Sequence, residues 1–170
     1  PGREISNKTV GIIGLGAIGQ RTAKLAQAFG CKVIAWNRTP KDVEGVTLVD
    51  KETLLKESDI ITLHIALNEE TRNFITAKEI DMMKPSAIII NAARGPIINT
   101  NDIAEALRNG RISGAALDVF DKEPPLDKSN PLLNLPNTML MPHIGFATEE
   151  AFELRLGIVV KNVEKFVSAC

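Results

Sequence analysis

The run Gly14-Leu15-Gly16-Ala17-Ile18-Gly19 constrains this chain more than any other feature. It follows at once on the apolar, β-branched residues 10–13 and opens residues 18–29, whose apolar side chains recur at helical spacing until Gly30 stops them. Strand, tight turn and helix in that order leave the backbone few options. The first glycine allows the turn, Gly16 removes a side chain where an anion must approach the backbone, and Gly19 lets the helix lie close on the strand. The helix N-terminus, with Ala17 and Ile18 beside it, then presents free N–H groups and the positive end of its dipole to a diphosphate. A dinucleotide cradle is the expected result.

Beyond the turn, short β-branched runs alternate with helical patterns, which argues for parallel strands joined by right-handed crossovers. Six strands are expected, at residues 9–13, 32–36, 60–65, 87–91, 114–117 and 138–141. Several are apolar throughout, as suits strands covered on both faces. Further helices are expected at 53–57, 76–83, 101–109 and 148–167. With 170 residues, 44% of them apolar, the chain can bury one sizeable core. The expected architecture is therefore α/β, a doubly wound, six-stranded, Rossmann-like parallel sheet forming a single dinucleotide-binding domain over 1–170.

Lys and Arg (20) nearly balance Asp and Glu (21), and the charges are scattered. That speaks against a nucleic-acid or membrane partner and for a small molecule in a cleft. Cys31 and Cys170 form neither a disulfide framework nor a metal cluster, no apolar run reaches the length of a membrane span, and no basic-then-apolar leader opens the chain. A reducing cytoplasm and no metal are expected. The position that separates NAD from NADP lies at the end of the second strand, about twenty residues past the glycines. Here it reads Asn37-Arg38-Thr39. An acid at 37 would accept from the ribose 2′-hydroxyl and repel a 2′-phosphate, whereas Asn37 is uncharged, Arg38 offers a fork of donors and Thr39 adds a hydroxyl. NADP is favoured, with NAD as the alternative.

Three later blocks end successive strands: Asn91-Ala92-Ala93-Arg94-Gly95, then Leu117-Asp118 running on to Glu123-Pro124-Pro125, then Pro142-His143-Ile144-Gly145. In an open parallel sheet that carboxyl edge is where ligands bind. With the glycine turn, these blocks resemble the D-isomer-specific 2-hydroxyacid dehydrogenases, a family that includes phosphoglycerate dehydrogenase, D-lactate dehydrogenase and glyoxylate/hydroxypyruvate reductases. The resemblance runs from about Gly2 to the end of the chain. It implies that Arg94 binds substrate, that Glu123 is the carboxylate partner and that His143 is the general acid/base. The chemistry agrees: a guanidinium can pair with a 2-keto acid's carboxylate and polarise its carbonyl, and an imidazole can protonate the alkoxide left by hydride addition. Singly, each residue also suits a plainer role, as a surface ion pair, a solvated loop acid or a structural histidine. Their order after three successive strands favours one shared site.

The resemblance further places Asp118 and Ala92 near the nicotinamide, counts Gly145 among the cofactor-binding residues, and sets His64 beside the adenosine portion, where Ala66 stands in place of the family's usual proline. It also implies a second, substrate-closing domain absent from this chain, leaving the isolated domain feeble, and a homodimer to which the stripe Phe152, Leu156, Val159, Val160 and Val163 contributes. Two other readings are a corepressor-like module that senses dinucleotide without catalysis and an S-adenosylhomocysteine hydrolase-like domain. The second leaves Arg94, Glu123 and His143 unexplained.

Overall fold

The computed structural model describes residues 4–169, so Gly2 and Cys170 lie outside the described residues. In chain order the elements are β1 (Thr9–Ile13), α1 (Ala17–Ala28), β2 (Lys32–Trp36), β3 (Val46–Leu48), α2 (Lys51–Glu57), β4 (Ile60–Leu63), α3 (Ala77–Ile80), β5 (Ile88–Asn91), α4 (Thr100–Arg108), β6 (Gly114–Leu117), β7 (Thr138–Leu140) and α5 (Glu149–Val167). All strand pairs are parallel, in the order β3-β2-β1-β4-β5-β6-β7.

Period-two side-chain alternation divides the core between two faces. Val10 and Ile12 of β1 join Val33 and Ala35 of β2 and Ala23 of α1 in one cluster, while Ile13 and Ile34 point the other way to Leu54 and Leu55 of α2. Local signals set the helix ends. Asp50 accepts from Thr53 N at 2.8 Å to cap α2, and Asn99 accepts from Asp102 N at 3.1 Å to cap α4.

The sheet has seven strands, not the six expected. The extra one, β3, is three residues long, pairs only with β2 and follows Gly45, whose φ is +70°. Three residues carry no periodicity to read, and unlike the equally short β7 this strand ends in no recognisable block. Coverage also differs from expectation: β1 and β2 are buried on both faces, but Ile88 of β5 is 39% exposed and Met139 of β7 is 64% exposed. Helix α5 buries none of its side chains, and no helix among the described residues is long and apolar enough to cross a membrane.

From β3 at one edge the chain returns to β4 on the far side of β1. Loops leaving β1 and β4 therefore diverge, and a crevice opens at their carboxyl ends.

Candidate active site

The crevice begins at the glycine turn. Gly14 has φ +103°, and a Cβ there would lie 2.8 Å from the His64 carbonyl oxygen, so turn geometry and close approach both require glycine. Gly19 is buried, and a Cβ there would meet the Gly14 carbonyl. Gly16 differs from both. Its φ of −67° suits any residue and a Cβ would touch nothing within 4 Å. Protein packing thus gives no reason for glycine at 16, whereas a diphosphate lying over the turn does. Gly16 is also the N-cap of α1 without a side-chain cap bond, and the first turn holds no acid, so the helix terminus remains available to an anion. Ala17 opens the helix, exposed. These residues fit a dinucleotide.

Two adjoining cavities extend from this turn. One, of about 300 Å³, is lined by Gly14, Gly16, Asn37, Arg38 and Thr39; the other, of about 540 Å³, by Ile18, Ala92, Arg94, Asp118, His143 and Gly145. His64 lines both and joins them. Burial pushes its imidazole below the usual histidine value of 6.5, and Thr62 Oγ1 lies 3.1 Å from its Nε2. As pH falls through that value, the unfolded chain takes up a proton that the folded chain resists, so His64 lowers stability on the acid side and is neutral toward it above. Asn37 has work of its own: its Oδ1 accepts from Leu15 N at 2.8 Å and its Nδ2 donates to the Thr39 carbonyl at 2.7 Å. The glycine turn and the residue that follows β2 are thereby tied together.

At the far end, His143 Nδ1 lies 2.8 Å from Glu123 Oε1, while Glu123 Oε2 accepts from Phe120 N at 3.1 Å. A carboxylate only accepts, so Nδ1 carries its proton and Nε2 is the nitrogen left for chemistry. Phe146 meets the imidazole edge-on, with centroids 5.8 Å apart. Arg94 is exposed and held locally, its Nη1 donating to the Ala93 carbonyl at 2.6 Å. The guanidinium and the imidazole therefore border one cavity, with the carboxylate behind the imidazole.

Three supporting residues were not legible as such. Buried Asn91 donates to the Arg94 carbonyl at 2.9 Å and accepts from Ala93 N at 3.0 Å, shaping the arginine's turn. A polar side chain ending an otherwise apolar strand was its only signal. Gly95 packs against the Phe120 carbonyl group, a contact between distant segments. Asp118, expected near the nicotinamide, also accepts from Ile144 N at 2.9 Å and Gly145 N at 2.7 Å. These bonds follow directly on His143, whose φ of +55° is uncommon for a residue with a Cβ. Replacing Asp118 with Ala is expected to loosen that turn and lower turnover about 10- to 100-fold. Asp118→Asn, which keeps one acceptor, should lose less; equal turnover for wild type and Asp118→Ala in steady-state kinetics would remove the positioning role.

The sequence profile described as D-isomer specific 2-hydroxyacid dehydrogenase, NAD binding domain, matches residues 1–145. Glyoxylate reductase of Thermococcus litoralis is 47% identical over 169 residues, covering 97% of this chain and 50% of that protein. The NAD-complexed D-isomer specific 2-hydroxyacid dehydrogenase of Lactobacillus delbrueckii ssp. bulgaricus superposes with a TM-score of 0.88 at 35% identity, covering 99% of this chain and 56% of that one. An acyclic imino acid reductase in complex with NADPH and D-arginine gives a TM-score of 0.87 at 38% identity, with 98% and 53% covered. The chain spans about half the length of the curated relatives it matches. None of these relatives is a corepressor.

Proposed function

Because the chain belongs to the D-isomer-specific 2-hydroxyacid dehydrogenase family through its NAD-binding domain, we propose that the protein carrying it transfers a hydride between a nicotinamide dinucleotide and a small D-2-hydroxy or 2-keto acid. The 2.8 Å pair of His143 and Glu123, beside a cavity that Arg94 also lines, supports this reading most strongly. The dinucleotide, when bound over the glycine turn, supplies or accepts the hydride. Arg94 pairs with the substrate carboxylate and polarises the neighbouring carbonyl. In reduction His143 gives its Nε2 proton to the oxygen that becomes alkoxide; in oxidation it takes that proton back. Glu123 holds the ring by Nδ1 and stabilises the imidazolium. Ala92, Asp118 and Gly145 border the nicotinamide end, and His64 the adenosine end.

Arg94 is exposed, so we assign closure over the substrate to a second domain, with this domain holding the dinucleotide and reacting feebly by itself. A reducing, cytoplasmic setting accords with the buried free thiol of Cys31, and a homodimer contact with the bare apolar stripe of α5. Reduction of glyoxylate and hydroxypyruvate by the whole protein, followed by loss of reduced-cofactor absorbance, tests the activity. A protein whose oligomeric state responds to dinucleotide while keto acids do nothing would be a sensing module instead.

For the cofactor we propose NADP over NAD, on Arg38 and the uncharged Asn37. Arg38→Ala is expected to weaken NADPH binding about 10- to 100-fold and NADH binding little, the range for a charge-assisted bond to phosphate. Asn37→Asp adds a negative charge to the same cavity while keeping the acceptor for Leu15 N, and should turn the preference toward NADH. Trp36 lines that cavity, so fluorescence titration reads both dissociation constants; an unchanged NADPH-to-NADH ratio in Arg38→Ala would end the case for NADP.

A further inference from the structure

A second charge faces the adenosine-side cavity from the opposite wall. Glu70 Oε2 lies 3.1 Å from Arg38 Nη1, with the two side chains 73% and 76% exposed. Both line the cavity; its other side chains are amides, hydroxyls, apolar groups and the His64 imidazole. Arg38 and Glu70 thus carry its formal charge between them. The loop that carries Glu70 is braced by its own short-range bonds. Asn68 Oδ1 accepts from Thr71 N at 3.0 Å, Thr71 Oγ1 accepts from Asn68 N at 2.8 Å, and that hydroxyl donates to the Ala66 carbonyl at 2.7 Å. These three short-range bonds brace the backbone on either side of Glu70, and the carboxylate itself is held by Arg38.

We propose that Glu70 is a specificity-determining residue, one that tempers the preference for a 2′-phosphorylated dinucleotide by competing for Arg38 and repelling the phosphate. This rests on the reading that Arg38 meets the ribose 2′ substituent. A phosphate there brings about −1.5 to −2 charges. It must take over the guanidinium edge that Glu70 occupies and then sit near a carboxylate of like sign. A ribose 2′-hydroxyl meets neither obstacle, being neutral and able to donate to the carboxylate. Glu70 therefore narrows the gap between NADPH and NADH that Arg38 opens. Both groups are largely exposed, so the effect is modest and salt-sensitive.

The test compares Glu70→Gln and Arg38→Ala in the full chain. NADPH, NADH, adenosine 2′,5′-bisphosphate and 5′-AMP are titrated at low salt and at about 0.5 M salt. Glu70→Gln is expected to tighten NADPH and the bisphosphate about three- to tenfold and to change NADH and 5′-AMP less than about twofold, with the gain shrinking in high salt. Should Arg38→Ala weaken NADPH while Glu70→Gln leaves the NADPH-to-NADH ratio unchanged, the role of Glu70 is overturned and that of Arg38 stands. Weaker NADPH binding in Glu70→Gln would make the carboxylate a support for Arg38 rather than its competitor, and would also overturn the proposal. If neither substitution moves the ratio, the Arg38 reading falls and the Glu70 proposal with it.

Discussion

Replacing His143 with Asn in the whole protein is expected to lower kcat by about two to four orders of magnitude, with dinucleotide affinity unchanged within about twofold. The size follows from what the imidazole does. Hydride addition to a carbonyl leaves an alkoxide far more basic than any neighbouring side chain, and only a positioned acid can neutralise it as it forms. His143 is the group proposed for this, and its surroundings position it: Glu123 engages Nδ1 at 2.8 Å, Phe146 flanks the ring, and Asp118 accepts from the next two N–H groups. Removing the ring removes proton transfer but touches no residue of the glycine turn. Glu123→Gln is the companion variant. Its amide can still bond to Nδ1 but cannot stabilise the imidazolium, and an amide nitrogen facing the ring would favour the wrong tautomer. Turnover should fall about 10- to 1000-fold, again without loss of dinucleotide. Steady-state kinetics paired with binding titrations decide the matter: if turnover survives, or if affinity falls in step with it, His143 is not the acid/base.

Legibility in the sequence followed the range of the forces involved. β1, the glycine turn and α1 could be read because they lie within about twenty consecutive residues, where pattern, turn chemistry and packing need agree only locally. The expected helix at 76–83 ends earlier, at Ile80, with Met82 N and Met83 N bonding three residues back to Glu79 and Ile80. Pro85 disfavours helical geometry just before it, and the chain tightens on approach. Strand β3 escaped because its three residues are fixed by pairing with β2 and no motif ends it, whereas β7, equally short and also at an edge, leads directly into the Pro142-His143 block. The same distinction divides the site. Arg94, Glu123 and His143 could be placed at strand ends because each belongs to a block of residues, but Glu70 lies 32 positions from Arg38 and meets it only across the crevice. Gly95 was visible merely as the end of the arginine block. What it touches lies beyond the next strand.

That contact makes Gly95→Ala a severely damaging change for so small a substitution. Gly95 is buried, and a Cβ there would run into the carbonyl group of Phe120 and come within 2.6 Å of Asp121 N. Both obstacles are backbone, so no rotamer relieves them and two loops must move apart. One loop carries Arg94. The other leads to Glu123, whose carboxylate is held by Phe120 N. A single methyl group would thus widen the separation of the guanidinium from the His143–Glu123 pair. Overpacking costs about 1–3 kcal/mol, and fixed backbone on both sides puts this site at the upper end, about 3 kcal/mol, which lowers the unfolding midpoint by about 6–12 °C for a domain of this size. Turnover should drop about 100-fold more than stability alone explains, since hydride and proton transfer both depend on that spacing. Gly16→Ala provides the contrast. Its Cβ meets no protein atom within 4 Å, so the midpoint should hold within about 2 °C, while a methyl group in the path of the diphosphate weakens dinucleotide binding at least about tenfold. One methyl group therefore has opposite signatures at two glycines: at 95 the fold loosens and catalysis fails, and at 16 the fold stands and the ligand is lost. Thermal melts and titrations of the two variants would reveal a common signature if the glycines of this site served only the backbone.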